Sequence, residues 1–386
     1  MLTDHKISNG SGKLLVAITL FAALAPGVLM MAPALAGQLA SAWRLSPVHI
    51  GMLFSAELGG MSLATLPAWW WMSRINWRRV AVIATGIFIL GNLVSALIAA
   101  WTVNYPALLT LRFVTSLSGG TLMILCITCA ASTANPSRAY AFWMFGQLTL
   151  GALGLLLLPL LFAHFGLMII YLILAIMMFC CLPLLRAFPV RFQVNVAESV
   201  PLRPTNHGKK WCAVLAVLAF YISISAVWTF MGTIAAGAGL TIVQRGQVLA
   251  TASIFGIIAT GIASLVGQRI RANRLIWLSY GLLAASLLML SQVSTMVRFS
   301  LGAVMFVFAW NFGVPFILAR VAGLDNNGKL MNSINLVIGG GMAIGPALAG
   351  AFLQCSAASI SILPIGALIV GVVSLALLPS LTLSTD

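Results

Sequence analysis

Acidic side chains are almost absent from this sequence. Of 386 residues, five are Asp or Glu: Asp4, Glu57, Glu198, Asp325 and Asp386. Charge of either sign is scarce, at 6% against 61% hydrophobic residues, too little to cover the surface of a water-soluble domain. The shortage also excludes chemistry. No cluster of His, Asp and Glu falls at one depth for acid–base work or metal binding, so neither an enzyme nor a metal site is expected. No G-x-x-x-x-G-K-[ST] loop is present, nor a soluble domain to hold one, which excludes nucleotide hydrolysis. Cys126-Ile-Thr-Cys129 has redox or metal spacing, but without a second pair or a nearby His it reads as two small residues on one face of a packed helix. The other cysteines, Cys180, Cys181, Cys212 and Cys355, also lie in or beside apolar segments, so no disulfide framework and no cofactor are expected.

What the sequence has is length of apolar run. Segments of about 20 residues recur between short polar breaks, as helices crossing about 30 Å of hydrocarbon require. The expected spans are 14–40, 48–72, 79–101, 106–132, 139–162 and 166–185, then 211–235, 247–268, 275–294, 297–320, 329–353 and 358–380. Lys6, Lys13 and the following apolar run up to Ala34-Leu35-Ala36-Gly37 look like a cleavable signal peptide. The run is longer than such a core and is interrupted at Pro26-Gly27, so it is read as the first span. The long polar stretch is 186–210, a linker between an N-terminal bundle, 1–185, and a C-terminal bundle, 211–386.

The net charge of +15 would point to nucleic acid in a soluble protein. Here the loop Lys and Arg, except Arg44, Arg245 and Arg298, fall on one side of the membrane, so no nucleic-acid partner is expected. The bias places both termini in the cytoplasm. Trp69, Trp70, Trp71, Trp101 and Tyr105 are expected as interfacial anchors. The halves echo each other. Arg74-Ile75-Asn76-Trp77-Arg78-Arg79 follows the second span and Arg269-Ile270-Arg271-Ala272-Asn273-Arg274 the eighth, both of the form R-I-x-x-x-R. A second echo sets Arg112-Phe113 in span 4 against Arg298-Phe299 in span 10.

On these residues the chain resembles the major facilitator superfamily. The loop between spans 2 and 3 in that family follows G-x-x-x-D-R-x-G-R-R. Arg74 matches the first Arg and Arg78 the last, while Ser73 stands for the Asp, Asn76 for the second Gly and Trp77 for an Arg. Arg112, followed by Ser116, Ser118, Gly119 and Gly120, matches the family's span 4. The Gly-Pro signature that the family's antiporters often carry in span 5 appears instead in span 11, as Gly345-Pro346. The resemblance implies an all-α membrane protein of twelve transmembrane helices in two pseudo-symmetric six-helix bundles. It implies loop motifs at Arg74, Arg78, Arg269 and Arg274 that act in conformational change. Spans 1, 4, 7 and 10 would line a cavity, and spans 3, 6, 9 and 12 would face lipid. The hydroxyls of span 4, with Tyr221, Ser223, Ser225, Trp228 and Thr229 in span 7, fit a wet interior, since polar groups in hydrocarbon are costly.

Glu57 is the one acid inside an expected span. It lies about 12 Å along the helix from His49, and Arg112 lies about 10 Å from Tyr105, so the two share a depth if their helices are neighbours. A carboxylate held between an apolar surrounding, which favours its neutral form, and an Arg, which favours its charged form, can take up and release a proton. Glu57 with Arg112 is therefore the expected proton-coupling pair, against the alternative of a fixed ion pair that only sets packing. Tyr221, Trp228, Trp310, Asn311 and Ser116 are the expected substrate contacts, because aromatic faces beside an amide or hydroxyl suit a solute of mixed polarity. Ordinary helix packing is the alternative for each of them.

The expected function is secondary active transport of a small organic molecule by alternating access, coupled to protons. Efflux of amphipathic compounds is favoured over proton-linked import of an organic or aromatic acid, and both over a membrane enzyme or receptor. The expected setting is a bacterial inner membrane, with membrane lipid around a monomer.

Overall fold

The computed structural model describes residues 4–102, 104–133, 135–190, 207–267, 269–322, 329–355 and 360–378. Most of the expected linker, 191–206, and the C-terminal 379–386 lie outside the described residues, as do Glu198, Asp325 and Asp386. Every regular element among the described residues is helical. They are α1 (Asp4–Leu24), α2 (Gly27–Met30), α3 (Ala32–Ala42), α4 (Pro47–Leu63), α5 (Thr65–Arg74), α6 (Trp77–Trp101), α7 (Tyr105–Ala131), α8 (Pro136–Phe165), α9 (Met168–Cys180), α10 (His207–Gly237), α11 (Ile242–Val266), α12 (Ala272–Ser291), α13 (Met296–Ala322), α14 (Lys329–Cys355) and α15 (Leu363–Leu377). Short 3-10 turns cover Leu182–Ala187 and Ile360–Ile362. Nine helical segments among the described residues are long and apolar enough to cross a membrane. With the broken first two runs and the shorter α9, the helices follow the twelve expected segments.

Proline explains the breaks. Pro26 lacks the N–H that would bond Ala22 O, and the first run breaks there between α1 and α2; Pro33 likewise cannot bond Leu29 O, and α2 and α3 divide at Met31. The stranded Ala22 carbonyl accepts instead from Gln147 Nε2 on α8, at 3.0 Å. In the second run Pro67 cannot bond Leu63 O, and the helix divides at Ala64. Starts are set by caps. The Asn76, Asn104 and Asn135 side chains accept from backbone N–H groups at the N-termini of α6, α7 and α8. Thr241 and Gln244 form a capping box on α11. Gly166, at φ 63°, ends α8 in a conformation that costs a side chain energy.

By packing, the chain divides into two units, Met1–Met31 with Ala56–Val194, and Ala32–Ser55 with Asn195–Asp386. In the first, α1 packs on α8 and α7, and α6 lies between α7 and α9. In the second, α10 carries α14, α15 and α3, while α13 packs with α11 and α12. The start of α4 belongs to this unit. Gly51 meets the Pro346 carbonyl so closely that a Cβ would collide with it, and Ser55 Oγ donates to Ala343 O.

Candidate functional site

The α6 helix has two faces. Val82, Ile83, Leu90 and Leu97 form an exposed apolar stripe, as a lipid-facing surface requires. Its other face is buried and carries Thr85, Phe88, Gly91, Asn92 and Ser95. Gly91 and Gly119 admit Thr115 of α7 and Phe88 of α6 respectively. Gly60 and Gly120 likewise let the end of α4 approach the α7 backbone, where any side chain on Gly60 would strike Phe113 O. These close approaches bring Glu57, Arg112 and Asn92 together.

Arg112 is 1% exposed and Glu57 7%. Arg112 Nε donates to Glu57 Oε1 in an ion pair. Ser116, one turn further along α7, donates to Glu57 Oε2. Arg112 Nη1 donates to Asn92 Oδ1 at 2.9 Å and to Ser95 Oγ at 3.3 Å. Asn92 Nδ2 in turn bonds Phe88 O at 2.9 Å, which fixes the direction of its oxygen. Tyr171 of α9 closes the cluster, with the guanidinium carbon 4.8 Å from its ring centroid. The Tyr171 hydroxyl is buried and has no hydrogen-bond partner among the described residues. The cluster is a charge pair whose cation has a second set of neutral partners.

Two expectations need correction here. Spans 3 and 6 do not simply face lipid, because α6 supplies Asn92 and Ser95 and α9 supplies Tyr171, all buried against Arg112. An amide in the middle of an apolar span was the available signal for Asn92. Arg298 is not the counterpart of Arg112. It lies in the first turn of α13, and its Nε donates to Met289 O at 3.1 Å near the end of α12.

The expected substrate contacts are placed as follows. Trp228 and Trp310 meet edge to face with centroids 6.2 Å apart. Asn311, beside Trp310, uses its side-chain nitrogen on Val307 O at 2.9 Å. Tyr221 is buried, edge-on to Phe220 at 5.6 Å. Ser116 is engaged by Glu57. The serines of span 7 are not wet. Ser223 donates to Ala367 O at 2.7 Å and Ser225 to Gly341 O at 3.3 Å, tying α10 to α15 and α14. Among the described residues no group of His, Cys, Asp and Glu could hold a metal ion, and the six cysteines are free.

The two R-I-x-x-x-R loops differ. Arg78 donates to Arg186 O at 2.9 Å and to Phe188 O at 3.0 Å, holding the end of the 3-10 turn after α9. Arg74 lies over the Trp70 ring at 5.7 Å. Asn76 caps α6, and Trp77 is buried, with Nε1 donating to Met72 O at 2.8 Å. In the second loop Arg269 and Arg274 are exposed, with no side-chain hydrogen bond among the described residues. Of the three consecutive tryptophans, Trp69 and Trp70 are exposed as expected of anchors, whereas Trp71 is buried.

The family model of the Major Facilitator Superfamily matches residues 15–324, and the chain belongs to that family. It is accordingly an integral multi-pass membrane protein and a secondary transporter, not an enzyme. Among solved structures it is similar to a mutant of the nucleoside transporter NupG, with a TM-score of 0.71 and 12% identity over 95% of this chain and 98% of that one. At that identity the likeness shows the all-α, twelve-span fold. No protein of curated function matches.

Proposed function

We propose that this transporter exports small amphipathic organic solutes in exchange for protons, with Glu57 carrying the proton. The observation behind this reading is that Arg112 keeps Asn92 and Ser95 as partners independently of Glu57. A buried guanidinium that lost its only partner would be strongly destabilised. Here protonated Glu57 can release Arg112 and leave it partly satisfied, so the pair is built to switch. Ser116 belongs to this proton site and not to the cargo, since its hydroxyl is spent on Glu57. Import of an organic acid is less well supported, because the charge of Arg112 is already met by Glu57.

The cargo is assigned to Trp228, Trp310, Asn311 and Tyr221, where aromatic faces and an amide oxygen suit a solute with one flat apolar side. A nucleoside-like heterocycle is a second reading, favoured by that aromatic pair and by the likeness to a nucleoside transporter. The two bundles, 1–185 and 211–386, would rock about the linker 186–210. Arg74 and Arg78, with Arg269 and Arg274, would act at their loops, and the basic loops would hold both termini inside a bacterial inner membrane. The working unit is proposed to be a monomer in membrane lipid.

The test is proton movement in proteoliposomes loaded with a pH-sensitive dye, challenged with amines, organic acids and nucleosides. Amphipathic amines are expected to move protons with the wild type and not with Glu57→Gln, which should still exchange solute. Proton-driven accumulation in Glu57→Gln equal to the wild type would sink the assignment.

A further inference from the structure

The pair of Glu57 and Arg112 leaves two buried polar groups beside it unused. Arg112 spends Nε on Glu57 and Nη1 on Asn92 and Ser95, while Nη2 makes no hydrogen bond among the described residues. The hydroxyl of Tyr171, a fully buried residue, makes none either. The two groups belong to side chains already in contact, since the guanidinium carbon lies over the Tyr171 ring at 4.8 Å. Packing holds that ring in place, because α9 lies along α6, the helix that carries Asn92 and Ser95.

A ring face alone does not explain a tyrosine here. Phenylalanine would present the same face to the cation and would bury no hydroxyl. An orphaned hydroxyl carries its full desolvation cost, so the ion-paired state leaves Tyr171 unsatisfied. In that state Glu57 Oε1 holds the guanidinium over the face, whereas a phenolic oxygen stands at the edge of its ring. Once Nε is released, a short slide along the ring brings Nη2 to that oxygen, which can accept while Asn92 and Ser95 keep Nη1.

We infer that the Tyr171 hydroxyl is the reserve partner of Arg112, idle while Glu57 is ionised and accepting from Nη2 once Glu57 is neutral. Tyr171 is then a positioning residue of the proton site, and its part in transport rests on the reading of Glu57 as proton carrier. A bond that forms only in the neutral state favours proton uptake. Arg112 and Glu57 are the charges whose field reaches the Tyr171 hydroxyl. From α6 it meets neutral Asn92 and Ser95, while Lys13 of α1, Arg138 and His164 of α8 and Arg186 after α9 are exposed.

The test is a cycle of thermal stability on the full chain in detergent at alkaline pH, paired with transport. Tyr171→Phe is expected to raise the melting temperature of the wild type by about 2 °C, because it removes the orphan. In Glu57→Gln, and in Glu57→Met, which offers Arg112 no acceptor oxygen, the same change should lower it by about as much. A shift of one sign in all three backgrounds overturns the inference. So does a Tyr171→Phe that fails to fold, since the hydroxyl would then be bonded already. In proteoliposomes the pH of half-maximal proton-driven transport is expected to fall by about one unit in Tyr171→Phe, a tenfold loss of proton affinity. Where Glu57→Gln abolishes proton dependence, an unmoved midpoint overturns the inference. Proton dependence that survives in Glu57→Gln instead removes Glu57 as the carrier, and the stability cycle, which needs no transport, then decides the role of Tyr171 by itself.

Discussion

At Arg112 on α7, polar side chains bond one another, whereas the serines that tie α10 to its neighbours bond backbone. Arg112 is met by Glu57, Asn92 and Ser95, a network in which every link is a side chain. Ser223, Ser225 and Ser374 instead donate to carbonyls of neighbouring helices, and Ser279 to Ala309 O. Under the proposed coupling, the first arrangement can be rewired by one proton. The second cannot, since a hydroxyl on a carbonyl has no second charge state to adopt in the accessible pH range. On that reading the same intramembrane polarity serves proton exchange in one group of helices and adhesion in the other.

The comparison breaks most severely at Arg112. Arg112→Ala leaves a buried carboxylate without its cation, and a loss of about 3–5 kcal/mol is expected. Thermal unfolding in detergent reads it, and adding Glu57→Gln should restore much of the stability without restoring proton coupling. A melting point equal to the wild type for Arg112→Ala would mean that the pair holds nothing.

Trp310→Ala should sharpen the contrast from the other side. Loss of the edge-to-face contact with Trp228 is expected to cost cargo binding about 1 kcal/mol, with proton dependence retained. A KM unchanged for every transported solute would remove Trp310 from the binding site. Ser223→Ala is expected to lower stability by only about 0.6 kcal/mol, the usual worth of a hydroxyl bond between membrane helices. Transport and its proton dependence should be untouched, and any change in coupling would erase the distinction between the two groups of helices.

The smallest effects separate the two loops. Arg78→Ala should speed amide exchange over 182–190, because it frees the carbonyls of Arg186 and Phe188. Arg269→Ala should leave exchange in its own loop as it was. Equal effects would restore the symmetry that the matching R-I-x-x-x-R sequences imply.

The number and order of the helices were legible from apolar length, whereas the Asn caps at 76, 104 and 135 came only with the structure. The candidate pair was legible too. Glu57 stands out because an acid in a span is conspicuous, and helical rise alone put Arg112 at its depth. The sequence does not assign Asn92, Ser95 or Tyr171 to that pair, nor does it reveal that the serines of span 7 bond carbonyls of α14 and α15. What must leave water is determined by sequence alone, because it depends on composition along one run. Which way a membrane helix turns is not, since its lipid face and its packed face are both apolar and the spacing of apolar residues cannot tell them apart. Only the tertiary packing decided that Asn92 looks at Arg112, that Arg78 holds a turn while the Arg269 side chain bonds no described residue, and that α14 and α15 part above α10.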